Sequence, residues 1–190
     1  MSDWWTAATG PGHEQGDLLR GIPVLHVDSV TLDGQSADVR SRVEQIDVII
    51  VTQTCDLGNA KVENILTARV ITWADFSAAQ FAAGNTAVKS SAFRRSLIRG
   101  DIPPLTLLHD RDQSPSIEWS VVDFRELHVV SRSRVDEFVG RPGHRRRLRL
   151  VSPYKEHFAQ AFARFYMRVG LPHDARVFEQ EGATAVAQLG

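Results

Sequence analysis

Residues 46–59, IDVIIVTQTCDLGN, set an unbroken aliphatic run directly before a cluster of polar side chains. Ile46–Val51, interrupted only by Asp47, keeps no apolar–polar alternation, the pattern of a strand covered on both faces. TQTCDLGN then reads as a turn, with Asp56, Gly58 and Asn59 as turn formers. A strand that needs cover on both sides implies a sheet with other elements layered against it. The flanking sequence supplies them.

Upstream, Gly16–Val27 reads as a strand, with Pro23 placing it at an edge or marking a bulge. Residues 28–45 read as polar and turn-rich, at most a short hairpin. Downstream, Asn64–Trp73 alternates as a strand, and two short helices follow at Ala74–Ala83 and Val88–Arg99, stopped by Gly84-Asn85 and Gly100. Further strands fall at Leu105–His109, Ile117–Phe124, Glu126–Val130 and Arg147–Val151, with a helical turn or two at Ser133–Val139. The last element is the clearest. Ser152 serves as N-cap, Pro153 as first helical residue, and Gly170-Leu171-Pro172 as stop. Between them Tyr154, Phe158, Ala161, Phe162, Phe165 and Val169 form one apolar stripe. The expected class is α+β: a small curved antiparallel sheet or SH3-like barrel, with a helical insertion and a C-terminal amphipathic helix. The expected organisation is an N-terminal arm over 1–15, one domain over 16–172 and a tail over 173–190.

With 190 residues, 43% hydrophobic and 24% charged, the chain can bury about 70% of its unfolded surface without staples. One cysteine, Cys55, forms no internal disulfide and points to a reducing, cytoplasmic setting. No run of 18 apolar residues and no basic-then-apolar leader occurs, so neither a membrane span nor a secretory signal is expected. The net charge of −1 conceals a segregation. Residues 144–168 hold seven basic side chains (Arg145, Arg146, Arg147, Arg149, Lys155, Arg164, Arg168) against one acid, Glu156. The segment either neutralises acidic patches of its own fold or forms a surface for phosphates or an acidic partner.

Two places carry chemistry. Gln53, Thr54, Cys55 and Asp56 present an amide, a hydroxyl, a thiol and a carboxylate in four residues after the most buried strand. A nucleophilic cysteine needs a base, and His26, His109, His128, His144, His157 and His173 are the candidates; otherwise Cys55 is a small buried hydrophobe. On the final helix, His157 aligns with Arg164 and Arg168 beside the apolar stripe, with Tyr154 one turn earlier. That flank either lines an anion pocket or is a solvated face. Metal-site, P-loop, dinucleotide and GxSxG signatures are absent, so no metal or cofactor is expected; Asp110 and Asp112 could hold magnesium, but acidic pairs in loops usually only turn the chain.

Gly16-Asp17 with Leu18 and Leu19, VIIVTQ over Val48–Gln53 and ARVIT over Ala68–Thr72 resemble strands of the MazF/PemK-type toxins, SH3-like barrels that cleave RNA. The family's Arg-Pro before the second of these strands is replaced by Ile46-Asp47. The segment from Arg147 to Pro172 resembles the tail of uncharacterised bacterial proteins. The resemblance implies a toxin-like or conflict-system protein, ribonuclease-like if it is an enzyme.

Three readings follow. The first is a nucleic-acid-binding protein, acting on RNA or DNA through the basic segment and the cleft beside Gln53 and Thr54. The second is a protein-interaction or regulatory module whose arginines meet an acidic partner. The third is a hydrolase using Cys55, Asp56 and His157.

Overall fold

A computed structural model describes residues 3–34, 36–59, 61–144 and 146–167. Five antiparallel strands form the main sheet in the order β2-β3-β4-β6-β5: β2 (Leu18–Asp33), β3 (Ser36–Ile50), β4 (Asn64–Thr72), β5 (Leu105–Leu108) and β6 (Ser120–Ser131). A separate pair joins β1 (Trp5–Ala8) to β7 (Arg147–Leu150). The helices are α1 (Thr54–Gly58), α2 (Trp73–Ala82), α3 (Ser91–Arg99), α4 (Arg132–Gly140) and α5 (Tyr154–Tyr166), with a 3-10 turn at Thr86–Lys89. The α+β class and the antiparallel sheet stand as expected. The barrel does not: β2 and β5 remain the edges of an open sheet, with no pairing between them among the described residues.

The aliphatic run explains the layering. Ile49 and Val51 enter one core with Ala68, Val70, Phe124 and Phe158, beneath α5 and the β1–β7 pair. Val48 and Ile50 enter a second core with Leu57, Ile65, Val135 and Phe138, beneath α1 and α4. A third cluster, Phe76, Val88, Leu97, Leu105 and Val121, fixes α2 and α3 to the β5–β6 end. The helical insertion is held by local caps. Thr72 accepts from the Asp75 amide, Ser90 accepts from the Phe93 amide, and Gly100 ends α3 at φ 71°.

Four expectations change. The expected arm is part of the fold over its described residues, 3–15: Trp5 is buried, its indole donates to the His109 carbonyl at 2.8 Å, and β1 pairs with β7 in full register. Gly16 seals that junction, because a Cβ there would meet Leu150 at 3.0 Å and its φ is +84°. Residues 28–34 and 36–45 belong to one long β2–β3 hairpin, not a short one. The two strands expected at Ile117–Phe124 and Glu126–Val130 become one, β6, which starts at Ser120 and whose pairing with β4 shifts between Ala68 and Arg69; Ile117 stays outside it, bridged to Arg111. Finally, α5 starts after Pro153, which itself takes the N-cap position. Phe124 lies under the helix, with ring centroids 5.7, 5.5 and 6.2 Å from Phe158, Phe162 and Phe165. Val169, the stop at 170–172 and the tail over 173–190 lie outside the described residues.

Candidate nucleic-acid interface

The stripe on α5 sits on the sheet, so its flank faces outward toward β5. There Tyr154, His157 and Arg164 line a groove of about 600 Å³ with Trp4, His109 and Trp119. The rings make an unbroken series. Trp119 contacts His109 at 4.2 Å, His109 contacts Trp4 at 5.6 Å, and Trp4 stacks on Tyr154 at 4.2 Å with planes 14° apart. His157 continues it, edge-on to Tyr154 at 6.4 Å. Order in the series comes from anchored neighbours: Trp5 bonds the His109 backbone, and Asp110 holds the His109 ring at 2.8 Å. Arg164 stands at the rim, donating to the Gln160 carbonyl, and no carboxylate pairs with it among the described residues. Arg99 also lines the groove but is paired with Asp101 at 2.7 Å. Tyr154, His157 and Arg164 are thus brought together; Arg168 and His173 lie outside the described residues.

The basic segment does not form one surface. Arg147 is buried and donates to Asp17 at 2.7 Å and to the Gly10 carbonyl at 3.0 Å. Arg149 also binds Asp17, at 2.9 Å, and pairs with Glu14, while Lys155 reaches Glu14 at 3.5 Å. Donating to the Asp17 carboxylate holds the Arg149 guanidinium still more firmly protonated than usual. Three of the seven cations therefore neutralise the fold's own acids, tying residues 10–17 to β7 and α5. Arg146 is at the surface, donating to the Ser114 carbonyl at 2.9 Å. Arg145 lies outside the described residues.

The Cys55 cluster is also taken apart. Thr54 accepts from the Gln15 amide at 3.3 Å, and Gln53 precedes the first residue of α1. Cys55 is exposed, not buried, and its thiol faces Gln53 Oε1 at 3.6 Å and Asp56 Oδ1 at 3.8 Å. Neither supplies the positive charge that stabilises a thiolate. Leu57 plugs α1 into the second core and Phe158 plugs α5 into the first, so the two helices cover opposite faces of β3. Cys55 and Asp56 are not assembled with His157.

A polar cluster on the sheet was not legible from sequence. His26 lies 3.5 Å from Glu44, and Arg69 bridges Glu44 at 3.3 Å and Glu126 at 3.2 Å. His128 meets His26 edge-on at 5.3 Å. Burial, followed by the nearby His26, pushes the His128 pKa below its ordinary value. The one sequence signal was an arginine inside the apolar strand β4. Glu44 and Arg69 also line a cleft of about 490 Å³ in which Asp47, Asp75 and Glu118 add acids and only Arg20 adds a cation. Such a cleft repels phosphate. The groove along α5 is the better anion site.

Among the described residues no group of three or more His, Cys, Asp or Glu is placed to hold a metal ion, and no helix is long and apolar enough to cross a membrane. No protein-family model matches the chain, and no curated protein matches it significantly.

Proposed function

We propose that the protein binds single-stranded nucleic acid, RNA or DNA, in the groove between α5 and β5. The series Trp119–His109–Trp4–Tyr154 is the observation that carries this reading. Unpaired bases stack on aromatic faces at about 1–3 kcal/mol each, regardless of sequence, and cations on the same wall take the phosphates. Arg164 and His157 occupy that wall. A volume of about 600 Å³ matches a pocket that takes a small molecule or a base and its sugar. A toxin-like or ribonuclease role rests only on the sequence resemblance of β2, β3 and β4.

Because Arg147, Arg149 and Lys155 are spent internally, one or two phosphate contacts remain. The slope of log K against log salt should then be about −1, not the −3 or steeper of a basic patch with four or five contacts. Fluorescence anisotropy with short RNA and DNA oligomers at low salt tests the proposal. Saturable binding with a shallow salt slope and quenched tryptophan emission is expected. A flat isotherm for both nucleic acids would overturn it.

A further inference from the structure

The β2–β3 ribbon leaves the body of the protein. The cores reach only to Val24 on β2 and Ile46 on β3, and β4 pairs with β3 only at Val48–Ile50. Beyond them, 25–34 and 36–43 run on as a two-stranded ribbon to which no third strand pairs among the described residues. Its cross-strand pairs, Leu25 with Val43, Val27 with Ser41, Val30 with Val39 and Leu32 with Ala37, all lie on one face.

Two changes of phase produce that face. Along β2 the aliphatic residues run 25, 27 and then 30, 32, switching from odd to even positions. The pairing register shifts by one residue between Val27 and Ser29, so the structure changes phase at the same place. Without the bulge, Val30 and Leu32 would point to the other side. The outcome is a face with no formal charge, on which Leu25, Val27, Val30, Leu32, Val39 and Val43 are each more than half exposed. The opposite face holds His26, Asp38, Arg40, Arg42 and Glu44, and Arg42 pairs there with Asp28.

We infer that this ribbon is a self-association surface, on which two copies of the chain stack their apolar faces about a twofold axis. An uncharged aliphatic face offers nothing to recognise a charged or polar partner. It is complementary to another face like itself, as a twofold contact requires. Stacking is favoured over pairing along the β2 edge because Pro23 removes an edge donor and register shifts near Gly21 and Asp28 break that edge. The charged reverse face stays hydrated, so the contact closes at two copies. Eight residues at about 3.4 Å each give a face about 27 Å long, and two such faces bury on the order of 1,000 Å², the low end for a specific interface. The dimer is therefore reversible on dilution.

Sedimentation velocity on the full chain, from about 1 to about 200 µM, spans the affinities that such an area supports. A monomer–dimer equilibrium is expected. Val27→Lys with Leu32→Lys should weaken it at least tenfold. Val39→Lys, on the other strand, should do the same if the double variant does not fold. Arg40→Ala on the hydrated face should leave it unchanged. A monomer throughout the range overturns the inference, as does a dimer that survives the lysines or one that Arg40→Ala dissolves.

Discussion

Arg147 and Asp17, 130 positions apart, form an ion pair closed to water: Nε lies 2.7 Å from Oδ2, and the side chains are 3% and 0% exposed. The neighbouring Arg146 is exposed and, among the described residues, bonds the Ser114 carbonyl of a loop. Adjacent arginines in one basic run therefore have opposite energetics. Removing one partner of a buried pair leaves an uncompensated charge, a cost of about 3–5 kcal/mol. Arg147→Ala should lose that much in denaturant unfolding, and Arg146→Ala should stay within about 0.5 kcal/mol of wild type. Equal effects from the two would contradict the division.

The groove makes a separable prediction. Trp119 is part-exposed and ends the ring series, so Trp119→Ala removes a stacking surface at little cost to the core. It should weaken oligomer binding by about 1–3 kcal/mol and leave the salt slope alone. Arg164→Ala should instead reduce the magnitude of the slope by about 0.7. Titrations at several salt concentrations distinguish the two, and a slope change in Trp119→Ala would count against stacking.

Cys55 is exposed beside two acceptors, without a histidine or cation partner among the described residues. Iodoacetamide should modify it at an ordinary thiol rate, similar in native and urea-unfolded protein. Cys55→Ser should change stability by no more than about 0.5 kcal/mol, as a surface substitution does. Native labelling many times faster than unfolded labelling would restore the nucleophile reading.

What could be read in advance was what local pattern encodes. The run Val48–Val51, the alternation of Asn64–Thr72 and the stripe Phe158–Phe165 each repeat at the period of one element, and each element is present. The ribbon was missed because its bulge at Asp28 breaks the alternation in the sequence at the point where it restores the face in space. Open sheet versus barrel depends on whether edges meet, which no local window contains. The groove was half legible: Tyr154, His157 and Arg164 share one helix flank, but Trp4, His109 and Trp119 arrive from distant segments. The basic run by itself does not separate self-neutralisation from a surface, for a similar reason. Its partners, Glu14 and Asp17, come from the N-terminal stretch that β1 brings back onto β7.

Acid sensitivity follows from two histidines. His13 is buried, with Nδ1 3.3 Å from Asp136 Oδ1. Burial still lowers its pKa below the ordinary 6.5: the attraction of Asp136 and Asp17 is outweighed, and Arg132 and Arg147 add to the lowering. His128 is lowered as well, by burial and by His26, with Arg69 adding and Glu126 and Glu44 opposing. In both cases the unfolded chain binds protons at a higher pH than the folded one. Stability therefore rises with pH through this window, is fully present above about 6.5, and is lost as the pH falls toward the folded pKa values. The melting temperature should drop between pH 7 and pH 5.5, and His13→Gln and His128→Gln should each flatten the decline, with wild-type melting measured in parallel in the same buffers. A melting temperature that is level across the window, or that rises on acidification, would show that neither histidine is held neutral by the fold.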